Sequence, residues 1–265
     1  MVTEAAYPLP PVKKQLIVFD FDWSLADQDS DRWVHEALCP RLRRKMKSLK
    51  SSVQFTDLCA QLLVELHEVE GKSREEIEEA MRAMPFHPAM KRGVKNLKQH
   101  SSPATTLFLL SNSNTIYIDT ILRHQGLAPG VFDEVVTNPA SWSTEGCLQL
   151  SRRVPADAAK QHGCTVGCSP NMCKGEELEA FLARHGGFEA FDRIMYVGDG
   201  GNDYCPLLRM REGKDVAFVR RFRGLEKRIK EEGGVKCGIR WWAGAWEVET
   251  LMDESRGVLT DGEKA

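Results

Sequence analysis

The 265-residue sequence contains no apolar run approaching the ~20 residues a membrane-spanning helix requires. The opening MVTEAAYPLPPVKK, interrupted by prolines, is expected to be an irregular lead-in rather than a hydrophobic leader. No charge of one sign predominates. Lys and Arg number 36 against 38 Asp and Glu, a formal net charge of −2, which removes the electrostatic case for nucleic acid or an anionic membrane as partner. No internal repeat or low-complexity tract is present. Without an export signal, the eight cysteines are expected to be reduced thiols, and the chain is expected in the cytoplasm. Hydrophobic content of 42% and this length suit one core with a smaller accessory unit.

Against these absences stands LIVFDFDWSLADQDSD, residues 16–31. Leu16–Phe19 has the short, apolar, β-branched character of a buried strand. Asp20 and Asp22 follow where that strand should end. Carboxylates there are costly unless a cation or hydrogen bonds compensate them, and in an open α/β sheet the C-terminal strand ends are where ligands bind.

The rest of the chain alternates. Residues 30–84 read as helices without strands, among them amphipathic 55–70, with Thr56 or Asp57 as its cap, and 73–84, opened by the capping box Ser73/Glu76. Helix 88–100 leads into strand 105–110, which runs into Ser111, Asn112, Ser113 and Asn114. Helix 115–125, strand 132–137 and a hairpin turning near Glu145-Gly146 come next, and residues 152–173 lack periodicity. Helix 175–185, strand 193–197, the loop GDGGND (198–203), strand 216–219 and helix 225–232 complete the pattern. This alternation predicts an α/β fold: a Rossmann-like, doubly wound parallel sheet. The expected domains are a core of 14–29 and 85–252, a helical insert at 30–84, and irregular termini at 1–13 and 253–265.

Parallel strands bring their C-terminal ends to one sheet edge, so Asp20/Asp22, Ser111/Asn112, Lys174 and Asp199/Asp203 are expected to meet there. Several carboxylates raise one another's pKa, and Mg²⁺, which takes a few carboxylates, water and phosphate oxygens, resolves the conflict. A hydroxyl at Ser111 and a compact charge at Lys174 suit a phosphate.

DFDWS, LLSNSN, Lys174 and GDGGND together resemble the four motifs of haloacid dehalogenase-like (HAD) phosphatases, in order. Within that superfamily, DQDSDRW, CSPNMCKG and GDGGNDYCP resemble the phosphocholine/phosphoethanolamine phosphatase group and its plant and fungal relatives. The resemblance spans about 16–220 and implies a Mg²⁺-dependent phosphatase acting on a small phosphorylated metabolite. It implies Asp20 as nucleophile, Asp22 as general acid and base, and a metal held by the Asp20 carboxylate, the Asp22 backbone carbonyl and Asp199. Asp203 would hold a metal-bound water or orient Lys174. Ser111, Asn112 and Lys174 would meet the phosphate, and the insert would be the cap. The group's cation-recognising acidic pair corresponds to Asp31 and to position 112, which here is Asn; phosphocholine is therefore expected to be a poor substrate. Alternatives are an inorganic pyrophosphatase and a non-catalytic phospholigand-binding protein.

Three other features read as structural. His162, Cys164, Cys168 and Cys173 have zinc-like spacing but are expected to be buried thiols packing a loop. Arg220, Arg221 and Arg223 are expected on a solvated face, and Trp241, Trp242 and Trp246 against the sheet edge. Trp23 is expected to add bulk at the edge of the site.

Overall fold

The computed structural model describes residues 3–5 and 7–258. Its strands, in chain order, are β1 (Lys14–Phe19), β2 (Ala104–Asn114), β3 (Glu134–Asn138), β4 (Ala140–Trp142), β5 (Leu148–Leu150), β6 (Arg193–Gly198), β7 (Val216–Arg220) and β8 (Gly238–Trp242). The helices are α1 (Ser30–Leu38), α2 (Pro40–Leu49), α3 (Phe55–Glu68), α4 (Arg74–Arg82), α5 (Pro88–Gln99), α6 (Thr115–His124), α7 (Lys174–Arg184), α8 (Tyr204–Leu207), α9 (Gly224–Glu232) and α10 (Ala245–Ser255).

Six strands form one parallel sheet in the order β3-β2-β1-β6-β7-β8. The predicted hairpin is the separate antiparallel pair β4–β5. Side chains alternate across the sheet. Ile17, Phe19, Leu107, Leu109, Met195 and Val197 enter the core shared with α5, α6, α10 and the helices of the insert. Leu16, Val18, Phe108, Leu110, Ile194 and Tyr196 enter the other, beneath α7, α8 and α9. Strands buried on both faces explain why the sequence shows continuous apolar runs here rather than alternation. The doubly wound fold is therefore as expected.

Several boundaries differ. Residues 30–50 form two helices, because Pro40 restarts the chain after Cys39. Gln54, rather than Thr56 or Asp57, caps α3, its side chain accepting from the Asp57 N–H at 2.9 Å. The Ser73/Glu76 capping box is present. The last helix among the described residues, α10, continues through Ser255, three residues into the expected irregular tail; residues 259–265 of that tail lie outside the described residues. The insert α1–α4 shares a single apolar cluster with the sheet through Val34, Leu42, Met46, Leu58, Leu62 and Leu66.

Candidate active site

The chain builds β2 and β3 to one side of β1 and then crosses to build β6, β7 and β8 on the other. The strand order therefore reverses beside β1, and a crevice opens outside the strand ends. Asp20 follows β1 directly, its N–H bonded to the Val197 carbonyl at 2.9 Å. A wide loop, Phe21–Leu25, comes next, with Leu25 N–H reaching back five residues to the Asp20 carbonyl. Asp22 within it is extended, with ψ 128°, and Trp23 has φ 59°, a left-handed conformation uncommon for a bulky residue.

Lys174 lies buried at the start of α7 and donates to Asp20 Oδ1 at 2.6 Å and Asp203 Oδ1 at 2.7 Å. Burial alone would lower its pKa, but the carboxylates of Asp20 and Asp203 outweigh this and hold the ammonium above its ordinary value. Asp203 also accepts from Tyr196 OH at 2.8 Å and from the N–H groups of Asp199 at 3.1 Å and Gly200 at 2.8 Å. With each oxygen accepting twice, Asp203 is saturated by the protein. Gly198 is required for this arrangement: a Cβ there would lie 2.9 Å from Asp203 Cγ.

Asp199 faces Asp20 across Ser24, whose hydroxyl lies 3.4 Å from Asp20 Oδ2 and 3.5 Å from Asp199 Oδ1. Asp20, Asp199 and Asp203 each bring an oxygen within 4.8 Å of the other two. Burial, then the neighbouring Asp203 carboxylate, raise Asp20 well above the ordinary range and push Asp199 up to about 7. Three buried carboxylates with one ammonium among them form a donor set that fits a hard divalent cation.

Asp22, expected to offer a metal its backbone carbonyl, turns its carboxylate elsewhere. Its carboxylate groups with Asp29 and Asp31 and accepts from the Ser30 N–H at 2.8 Å and the Ser30 hydroxyl at 3.2 Å. Burial, then Asp29 and Asp31, raise its pKa well above the ordinary range. The Ser30 hydroxyl meets that of Ser113 at 2.7 Å, and Ser113 N–H donates to Ser111 Oγ at 3.1 Å. The end of β2 is thereby tied to the insert.

A cavity of about 340 Å³ lies over these groups, lined by Asp20, Asp22, Ser111, Asn112 and Asp199, with Asp31, Trp23, Phe55, Asn202, Arg32 and Arg223 around the rim. Asn112 Oδ1 accepts from Asn202 Nδ2 at 2.9 Å. Burial and Asp29 push Asp31 up to about 8. Lys174 reaches a neighbouring cavity rather than this one.

Sequence reading missed Arg32 and Arg223. Arg223 was assigned to a solvated face, yet its guanidinium stacks on Trp23 at 3.9 Å. Arg220 sits between Trp23 and Trp242 and bonds to the Trp23 carbonyl. Among the tail tryptophans, Trp242 is buried against β7, but Trp246 is exposed. Cys164, Cys168 and Cys173 do come together, with Cys205 as a fourth member; His162 is not among them, and its Nε2 meets the Ser169 carbonyl. Two of these thiols, Cys164 and Cys168, are only partly buried, contrary to the expected buried set.

Comparison with known sequences places this chain among the HAD-like phosphatases. The chain belongs to the family described as Putative Phosphatase, whose model matches residues 15–255. It is 32% identical over 253 residues to Inorganic pyrophosphatase 2 of Arabidopsis thaliana, covering 94% of this chain and 86% of that protein. It is 31% identical over 221 residues to Pyridoxal phosphate phosphatase PHOSPHO2 of Bos taurus, covering 82% and 86%. Among solved structures, a substrate-bound phosphoserine phosphatase superposes with TM-score 0.54 at 16% identity, covering 83% of this chain and 99% of that one; this likeness is one of fold. Among the described residues no helix is long and apolar enough to cross a membrane.

Proposed function

We propose that this phosphatase hydrolyses a small phosphomonoester in two transfers. Asp20 attacks phosphorus and becomes an aspartyl-phosphate while Asp22 protonates the departing alcohol; water then attacks, Asp22 takes its proton, and Asp20 is released. The observation that carries this reading is the buried Lys174 ammonium bridging Asp20 and Asp203 beneath a cavity lined by Ser111 and Asp199. It offsets part of the burial and carboxylate repulsion that raise Asp20, and it places positive charge beside the group that would carry the phosphoryl. The raised pKa of Asp22 suits a group that must first donate a proton. Mg²⁺ would be held by Asp20, Asp199 and the Asp22 carbonyl, and when bound would neutralise phosphoryl oxygens. Asp203, saturated by protein donors, acts as the positioning residue for Lys174.

The insert is read as a cap, since Asp29, Asp31, Arg32 and Phe55 all line the cavity from it. Asn112 supplies no charge, and Asp31 is raised to about 8, so the rim offers no fixed carboxylate pair to a quaternary ammonium. Arg32 and Arg223 instead favour a substrate with a second anionic group. That same pair supports inorganic pyrophosphate as a second reading.

Turnover of p-nitrophenyl phosphate with Mg²⁺ should vanish in Asp20→Asn while circular dichroism stays native; unchanged turnover refutes the mechanism. On a panel of phosphocholine, phosphoethanolamine, pyridoxal phosphate and pyrophosphate, the two cationic esters should rank last. A strong phosphocholine preference overturns the assignment of the rim.

A further inference from the structure

Four thiols, three within residues 164–173 and the fourth at Cys205, converge on one point beside the catalytic end of the sheet. Cys164 Sγ lies 3.6 Å from Cys168 Sγ and 3.4 Å from Cys205 Sγ, and Cys173 Sγ lies 3.5 Å from Cys205 Sγ. All four sulfurs fall within 4.8 Å of one another. A tetrahedron of thiolates about 2.3 Å from a central ion has edges of about 3.8 Å. Close-packed thiols have no such reason to gather four to a point, since one sulfur packs against apolar groups as well as against another.

The surroundings are those of a thiolate centre. The Val166 N–H donates to Cys164 Sγ at 3.3 Å, and Arg209 Nη2 donates to Cys205 Sγ at 3.6 Å. A backbone amide and a guanidinium directed at sulfur stabilise negative charge there. Gly175 leaves the room this needs: a Cβ at that position would come within 2.6 Å of Cys205 Sγ and 2.3 Å of Arg209 Nε. The ligands also come from the segment most in need of anchoring. Residues 151–173 contain no helix or strand, a length of irregular chain that compact domains seldom hold without a device of its own.

We propose that Cys164, Cys168, Cys173 and Cys205 form a tetrathiolate zinc site that fastens segment 151–173 to the catalytic end of the sheet. On binding, the four thiols release four protons to solvent and the ion takes four thiolates, leaving a −2 centre that faces Arg209. Four soft sulfurs in tetrahedral array select zinc over the hard cation suited to the aspartates. Their spacing is that of one ion, since a cluster of several irons holds its thiolates farther apart. The site is structural because no position is left open for water or substrate. Its place matters for the reaction all the same. Cys173 is bonded through the chain to Lys174, and Cys205 lies two residues from Asp203, so the ion grips both residues that flank the buried ammonium pair.

The test is metal content. Wild-type protein, desalted through dilute EDTA and analysed by mass spectrometry, should carry about one zinc per chain. Titration with a mercurial should release that zinc as the thiols are modified, read with a zinc-chelating dye. The double variant Cys164→Ser/Cys168→Ser should lose at least tenfold of the zinc and become cleavable within residues 152–172, while Cys39→Ser/Cys59→Ser keeps it. Should the first variant fail to fold, cobalt-substituted wild-type protein keeps the proposal testable, because it should show thiolate charge-transfer absorption and intense tetrahedral d–d bands. Zinc below a tenth per chain overturns the proposal, as does iron in its place, a disulfide within the four, or zinc that survives modification of all eight thiols.

Discussion

Replacing Lys174 by Met removes the one ammonium that compensates Asp20 and Asp203. Its Nζ contacts both carboxylates, at 2.6 and 2.7 Å, with all three side chains more than nine-tenths buried. At an effective dielectric of about 20 each contact is worth about 6 kcal/mol of Coulomb energy, set against several kcal/mol per ion of desolvation. The intact cluster is therefore close to neutral in stability. Its broken form is not: deleting one partner of a buried pair costs about 3–5 kcal/mol, a large part of the ~5–15 kcal/mol a domain has. Lys174→Met should accordingly lose about 3–5 kcal/mol in urea titrations at neutral pH in EDTA. Mg²⁺ should restore part of it, because the cation binds the carboxylates left unpaired. The double variant Lys174→Met/Asp203→Asn should be more stable than Lys174→Met alone, since one of the two unpaired charges is gone, whereas purely additive effects would make it less stable. Phosphatase turnover should fall by about 10²-fold or more in the single variant, as expected when a preorganised charge is removed from a transition state. A Lys174→Met protein within 0.5 kcal/mol of wild type, roughly the scatter of an ordinary surface substitution, would refute the argument that this ammonium compensates the buried carboxylates.

Three further outcomes follow from other parts of the molecule. His35 is buried in the insert between Arg43 and Glu65, and burial followed by Arg43 lowers its pKa to about 4; the neutral ring belongs to the fold. Its contribution is complete above about pH 6.5 and is lost as the pH falls toward 4, up to about 3 kcal/mol, so the stability difference between wild type and His35→Gln should shrink over that window in denaturant titrations. Gly198→Ala must displace Asp203 from a 2.9 Å approach, at about 1–3 kcal/mol, and should lower kcat even where the variant remains folded by circular dichroism. Arg223→Ala removes a rim guanidinium stacked on Trp23 and should raise KM for pyrophosphate more than for p-nitrophenyl phosphate; equal effects would place Arg223 outside substrate recognition.

The parts legible in the sequence were those where one local pattern had one physical meaning. β1, β2 and β6 are short apolar runs buried on both faces, and the polar clusters after them had only one place to go in a parallel sheet. What escaped was set by distant partners. Arg220 and Arg223 look like a solvated run because Trp23, on which they stack, lies some 200 residues earlier. Cys205 is visible within GDGGNDYCP, but its neighbours Cys164 and Cys173 are 41 and 32 residues away. The tail was read only as aromatic packing: β8 offers five residues with irregular burial, and the residue before α10, Gly244, has no capping side chain of its own to mark the helix start. Asp22 was correctly placed at the crevice, but the grouping of its carboxylate with Asp29 and Asp31 depends on how α1 turns back over β1.

The apolar cluster shared by the insert and the sheet has a consequence for how such a chain can diversify. The insert packs on β5 and α6 and shares one apolar interior with the sheet, so a lid motion would have to open that interior; a fixed wall fits the packing better than a free hinge. On the mechanism proposed above, chemistry would reside in the floor, drawn from strand ends and locked by the ammonium pair, and selectivity in a few side chains of the wall and its opposite bank. Replacing Phe55, Arg32 or Arg223 alters what fits without touching the charges that break the phosphate bond. A change of substrate would then need only a change of the wall, with the floor left as it is.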